Sequence, residues 1–270
     1  MKSETFVTLR TLARLTLREA LRQRFAAGLA VVALLLGASG LFLSGIDLGG
    51  AQARLLADTG LGAFVLFGSA LAIVVPATSL FADLDQRTVM SILAHPVARW
   101  EYLLGKWLGV AALLGLFSLL LTLLIGLQLA WVAGTPGAVY VMSPLGVLVA
   151  GLITWLRLCV MAALALAIAT YARTSLFTIL AGGGAFVIGQ LQYLARDSWQ
   201  DLENGFLRLL AWAVAHILPN LQAFDLADLL IFRGPPEVSA AAVLGVLGYG
   251  VLYTAAYLGI AVLIFERREL

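Results

Sequence analysis

Arg157 raises the first chemical question in this chain. It stands in "TWLRLCVMAALAL", the only charge between Leu145 and Ala169. A guanidinium at the centre of a membrane span costs at least about 2.5–3.5 kcal/mol on insertion scales, so it has either a structural partner or an anionic ligand there. No carboxylate in the apolar runs lies comparably deep. A carbonyl, a polar side chain or water is therefore the expected partner. Gln190, Gln192 and Tyr193, near the end of a later apolar run, join Arg157 as a candidate substrate path. In the same run Gly182, Gly183 and Gly184 permit close backbone approach and mark a candidate dimer seam or hinge.

The residues offer little for catalysis. His95 and His216 have no His, Cys or carboxylate at ligand spacing, and Cys159 is the only cysteine. The four methionines are scattered, so no metal site is expected. No nucleophile comes with a base and an orienting group, so the chain is read as non-catalytic. Gly105-Lys106 is followed by Trp107 and lacks the upstream glycine of a phosphate loop. No cofactor is expected on this chain. A net charge of +2 is too small to point to nucleic acid.

A second group of residues has the chemistry of a docking surface. "FADLDQRTVMSILAHPVARWEYLLGKW", Phe81 to Trp107, lies between two long apolar runs. A connection between spans needs only a few residues. This one carries Asp83, Asp85, Arg87, Arg99 and Glu101 around the apolar Met90, Ile92, Leu93 and Trp100, and Pro96 breaks it. The pattern predicts a short helix, a proline corner and a second helix starting near Arg99. Apolar residues framed by charge fit a knob for a soluble partner better than a solvated loop.

These residues must be held by membrane spans. The chain of 270 residues is 62% hydrophobic and 12% charged, with mean hydropathy +1.00. A soluble domain is about 25% charged. Crossing a bilayer takes roughly 20 apolar residues. Six runs qualify: Phe25–Ile46, Leu61–Ala82, Leu108–Ala133, Leu145–Ala169, Ser175–Ala195 and Ala240–Phe265. The first is too long for a signal-peptide core, and no removable signal is expected. Twelve Lys and Arg residues fall on the side of both termini and only four on the other, so the termini and the 83–107 segment are expected to be cytoplasmic.

The predicted fold is thus an all-α membrane protein with six transmembrane helices in one permease domain, 25–270. The N-terminal segment 1–24 reads as an amphipathic interfacial helix with Arg10, Arg14, Arg18 and Arg22 in a stripe. An extracytoplasmic loop, 196–239, holds short re-entrant or interfacial pieces. Tyr249, Tyr253 and Tyr257 share one face of the last span and read as packing.

The segment "DLDQRTVMSILAHPVARWEYLLGKWLG" resembles the cytoplasmic loop of ABC-2 type export permeases. The closest resemblance is to the branch named for multi-copper-enzyme maturation, which includes the permease for nitrous oxide reductase maturation. Arg87-Thr88, Pro96-Val97, Arg99, Trp100-Glu101 and Leu103-Leu104-Gly105-Lys106 carry it, with "LPNLQAFD", Leu218 to Asp225, as a second match. Many members have Glu where this chain has Asp83 or Asp85. The resemblance implies that the loop docks on a separate ATPase subunit, which binds ATP and Mg. It further implies a second permease copy, with Gly182–Gly184 near the dimer axis, in a bacterial cytoplasmic (inner) membrane. An extracytoplasmic (periplasmic) accessory protein is a further candidate partner. The expected function is export driven by ATP. The alternatives are a subunit that relays ATPase motion to an outer partner without carrying solute, and a secondary transporter.

Overall fold

A computed structural model of the chain describes residues 2–38, 52–86, 98–133, 143–198, 205–206, 208–209, 212, 218–232 and 239–267. In chain order the helices are α1 (Lys2–Arg22), α2 (Arg24–Ala38), α3 (Gln52–Asp85), α4 (Arg99–Ala133), α5 (Pro144–Tyr171) and α6 (Ser175–Ser198). A 3-10 turn at Leu221–Phe224 and the short α7 (Ala227–Ile231) precede α8 (Ala240–Glu266).

Five helices among the described residues are long and apolar enough to cross a membrane: α3, α4, α5, α6 and α8. The first predicted span, Phe25–Ile46, begins as α2, and its residues 39–46 lie outside the described residues. The chain is a multi-pass, all-α membrane protein.

Local sequence explains where the helices start. Ser143 caps α5 by accepting from Gly146 N at 3.2 Å, and Pro144 follows where its missing N–H costs nothing. Ser239 caps α8 through Ala242 N at 3.2 Å. The Glu101 carboxylate accepts from Ala98 N at 3.1 Å and so fixes the first turn of α4. That helix starts at Arg99, where the sequence places a second helix after the proline.

α5 is the central helix and packs on α3, α4, α6 and α8. Its second half carries buried Ala162, Ala163, Ala165, Ala167 and Ala169. In lipid, helices associate through close packing rather than through the hydrophobic effect, and small side chains allow it. α6 and α8 are peripheral and leave Leu180, Val187, Leu244 and Leu252 exposed to the bilayer.

Two long helices set the frame. α3 has 34 residues and α4 has 35, so at 1.5 Å per residue each is about 50 Å long, more than the roughly 30 Å hydrocarbon core. The surplus at one end of both carries the flanks of the charged segment.

α1 packs against the bundle through its apolar face. Its Leu12, Thr16 and Ala20 face is buried, while Arg10, Arg14, Arg18 and Arg22 stay exposed. The buried face crosses α4 at Gly105 and Gly109. A Cβ at Gly105 would meet Leu12 Cβ at 2.6 Å, and one at Gly109 would meet Thr16 Cβ at 2.6 Å and Ala13 O at 2.7 Å. Only glycine allows that approach.

The described part of the outer loop, expected as re-entrant or interfacial pieces, packs into the bundle. Residues 218–231 plug the bundle, with Leu221, Phe224 and Ile231 buried. Gln192 Nε2 donates to Leu218 O at 2.9 Å, Asn220 N donates to Tyr249 OH at 2.7 Å, and Ser143 N donates to Ile231 O at 3.1 Å. The tyrosine face of α8 continues this contact as a ladder. Tyr249 and Tyr253 rings lie 4.6 Å apart, and Tyr253 and Tyr257 rings 5.8 Å apart.

Candidate functional site

The described flanks of the charged segment form one polar cluster. Asp83, at the end of α3, receives the Lys106 ammonium in an ion pair and the Tyr102 hydroxyl at 2.5 Å. Lys106 is only 2% exposed, so its ammonium is buried between the helices while Asp83 keeps partial access to solvent. Lys106 and Tyr102 are four residues apart on α4 and therefore share a face. Tyr102 also stacks on Phe265 of α8, with ring centroids 5.9 Å apart.

Arg99 closes the other side. Its Nη1 donates to the carbonyls of Phe265 and Glu266, each at 2.9 Å. These carbonyls end α8, where a cation also meets the negative end of the helix dipole. Glu19 of α1 faces the same cluster. Burial raises its carboxyl above the usual 4.5; Lys106 opposes the shift and Asp83 adds to it. Four helices (α1, α3, α4 and α8) thus meet at the base of the segment.

The structure assigns different positions to the predicted docking residues. Asp83, Arg99 and Glu101 turn inward to hold the base, whereas Asp85 and Trp100 are exposed. Arg87, Met90, Ile92, Leu93 and Pro96 lie outside the described residues. Glu19 and Tyr102 were not singled out by sequence. The i, i+4 pair Tyr102 and Lys106 beside Gly105-x-x-x-Gly109 is the signal that could have found the cluster.

The second site is a cavity of about 420 Å³ between α3, α5 and α6. Arg157, 4% exposed, lies at its floor. Asp58 of α3 and Asp225, just after the 3-10 turn, stand at its exposed rim. Gln190 and Phe186 of α6 line one wall. Asp225 acts on Arg157 only as a charge at the exposed rim, and neither carboxylate of the cavity is as deeply buried as the guanidinium. Arg157 Nε still has no hydrogen-bond partner among the described residues.

Of the predicted path, Arg157 and Gln190 come together. Gln192 points elsewhere, to Leu218, and the Tyr193 side chain lies outside the described residues. The three glycines also part company. Gly182 is buried, and a Cβ there would meet Ile73 Cγ2 at 2.7 Å. Gly183 and Gly184 have nothing within 4 Å of a Cβ. Among the described residues no three His, Cys, Asp or Glu gather as a metal site.

Residues 10–270 match the family described as ABC-2 family transporter protein. The chain belongs to that family. Its members are the membrane, permease components of ABC transporters, which work with an ABC ATPase. No curated protein matches the permease. The match covers the Gly105 and Gly109 crossing, the Asp83 cluster and the Arg157 cavity alike.

Proposed function

We propose that the permease is the transmembrane subunit of an ATP-driven exporter in a bacterial cytoplasmic membrane. It acts as a homodimer, with separate nucleotide-binding subunits docked on segment 83–107. The resemblance to the multi-copper-enzyme maturation branch belongs to this proposal, as does the placement of both termini on the ATPase side. ATP and Mg belong to the ATPase; this chain supplies the transmission.

The observation that carries the reading is the base of the segment. A docking knob transmits force only if its mount does not give. Here Asp83 is tied to Lys106 and Tyr102, Arg99 to the end of α8, and α1 to α4 at two glycines. A push on the knob is therefore shared by α1, α3, α4 and α8 at once. Packed helices move as units rather than deform, so the far ends of α3 and α8 carry the motion. The Arg157 cavity, bordered by α3 and by the outer plug, is where that motion would open a path.

Relay of motion to an extracytoplasmic partner is the second reading. It is favoured by the direct seating of 218–231 on α5, α6 and α8. A photo-crosslinking residue at position 93 tests docking: it captures the ATPase, while one at position 54 does not. Capture from position 54 alone would reverse the assignment. ATP-dependent loss of a solute from vesicles then separates export from relay.

A further inference from the structure

We propose that the elbow between α1 and α2 is a binding site for one anionic phospholipid. An apolar groove of about 150 Å³ runs between α1, α2, α3 and α4. Ala20 and Leu21 of α1 and Ala27 of α2 form one end of it. Leu34, Leu113 and Leu120 continue it along the spans, a run of α4 about 10 Å long between Leu113 and Leu120. An elongated, wholly apolar groove entering the bilayer beside an interfacial helix has the shape of an acyl-chain seat.

What commits the site to an anionic lipid is the charge at that elbow. Arg22 ends α1 and Arg24 starts α2, and Ala20, Leu21 and Ala27 on either side of them line the groove. Both arginines are exposed, and Arg18 lies one turn back on α1. The nearest carboxylate in sequence is Glu19, which faces the Lys106 cluster, and none follows from Ala20 to Ile46. Gln23, between the arginines, holds the elbow still: its N donates to Ala20 O at 3.1 Å, and its Oε1 accepts from Thr78 Oγ1 at 3.3 Å. A guanidinium pair at the mouth of an acyl groove binds a phosphate by charge-assisted hydrogen bonds, with the chain laid below it. A zwitterionic headgroup satisfies the groove but gains less from the arginines.

This assignment is independent of what the permease moves and of its direction. It concerns how α1, which is packed on the α4 base of the docking segment, is held at the membrane.

The test is native mass spectrometry of the full-length permease in detergent, titrated with phosphatidylglycerol or phosphatidylcholine. The wild type is expected to retain one phosphatidylglycerol at least about tenfold more tightly than phosphatidylcholine. Arg22→Gln with Arg24→Gln abolishes that preference but keeps weak binding of both lipids. Ala27→Trp, at an exposed position on the groove wall, removes the tight site for either lipid. Leu252→Trp, on the lipid-facing side of α8, changes nothing and controls for general adsorption. Equal retention of the two lipids by wild type would overturn the proposal, as would an unchanged tight site in Ala27→Trp or an unchanged preference in the double arginine variant.

Discussion

Lys106 of α4 and Asp83 of α3 form a part-buried ion pair, with Lys106 2% exposed and the Asp83 side chain 18% exposed. Burying charge costs desolvation, and the cluster offsets part of it through the Tyr102 hydroxyl bonded to Asp83. Such a pair contributes geometry more than net stability. It fixes the distance between the helices that flank the charged segment. Removing one partner leaves the other charge with weaker compensation, which costs stability. Lys106→Met and Asp83→Asn should each lower the melting temperature of the purified permease. The double variant should lose less than the sum of the two. Additive losses, measured by thermal denaturation in detergent, would mean that the pair is not coupled.

Glu19 gives the cluster a pH dependence of a definite sign. Its folded-state pKa lies above the usual 4.5, mainly through burial. The folded protein therefore binds the proton more readily than the unfolded chain, and ionised Glu19 costs stability above the raised pKa. That cost fades as pH falls through the raised value and is gone below the unfolded one. Glu19→Gln should raise the melting temperature at pH 7 and match wild type at pH 4. A variant less stable than wild type at pH 7 would show that Lys106 outweighs burial.

The Arg157 and Asp225 charges should be coupled. Asp225→Asn removes the rim charge that acts on a buried guanidinium and should destabilise the protein. Arg157→Gln in the same chain should recover part of that loss, with a coupling of about 0.5–3 kcal/mol. A double-mutant cycle on thermal stability reads this directly. A coupling of zero would separate the outer plug from the span.

Glycines of similar sequence should behave in opposite ways. Gly109→Leu forces a side chain against Ala13 O and Thr16, so α1 should lift from α4 and become sensitive to protease. Gly183→Leu meets nothing within its own chain, so folding should be unaffected. If α6 is the dimer seam, the same change should lower the dimer fraction in size-exclusion chromatography. A normal dimer with Gly183→Leu would move the seam elsewhere.

Much of the architecture was legible because the length and hydropathy of a span are local properties. The runs from Leu61 to Ala82 and from Leu145 to Ala169 needed no partner to be recognised. Contacts between distant segments were not legible. Asp83 and Arg99 look like surface charges in sequence, and nothing local says that Lys106 and the last carbonyls of α8 will meet them. Arg157 looked unserved for the same reason. Asp225 follows Arg157 by 68 residues and reaches the rim of the same cavity only because Leu221 and Phe224 pack into the bundle. Gly105 and Gly109 share a face of α4, but nothing in their spacing names α1 as the partner.

The central claim is that segment 83–107 receives the ATPase and passes its motion through the clamped base. Leu93→Asp tests it most directly, because it puts an unpaired charge at the centre of the proposed contact without touching a span. Insertion and expression should stay near wild type. Loss of a well-packed leucine costs about 2–5 kcal/mol, and burying the charge adds to that. The measurement is recovery of the ATPase with affinity-purified permease from solubilised membranes. Recovery should fall at least tenfold with Leu93→Asp and stay unchanged with Arg54→Ala at the opposite end of α3. Equal recovery with Leu93→Asp and wild type would contradict the account.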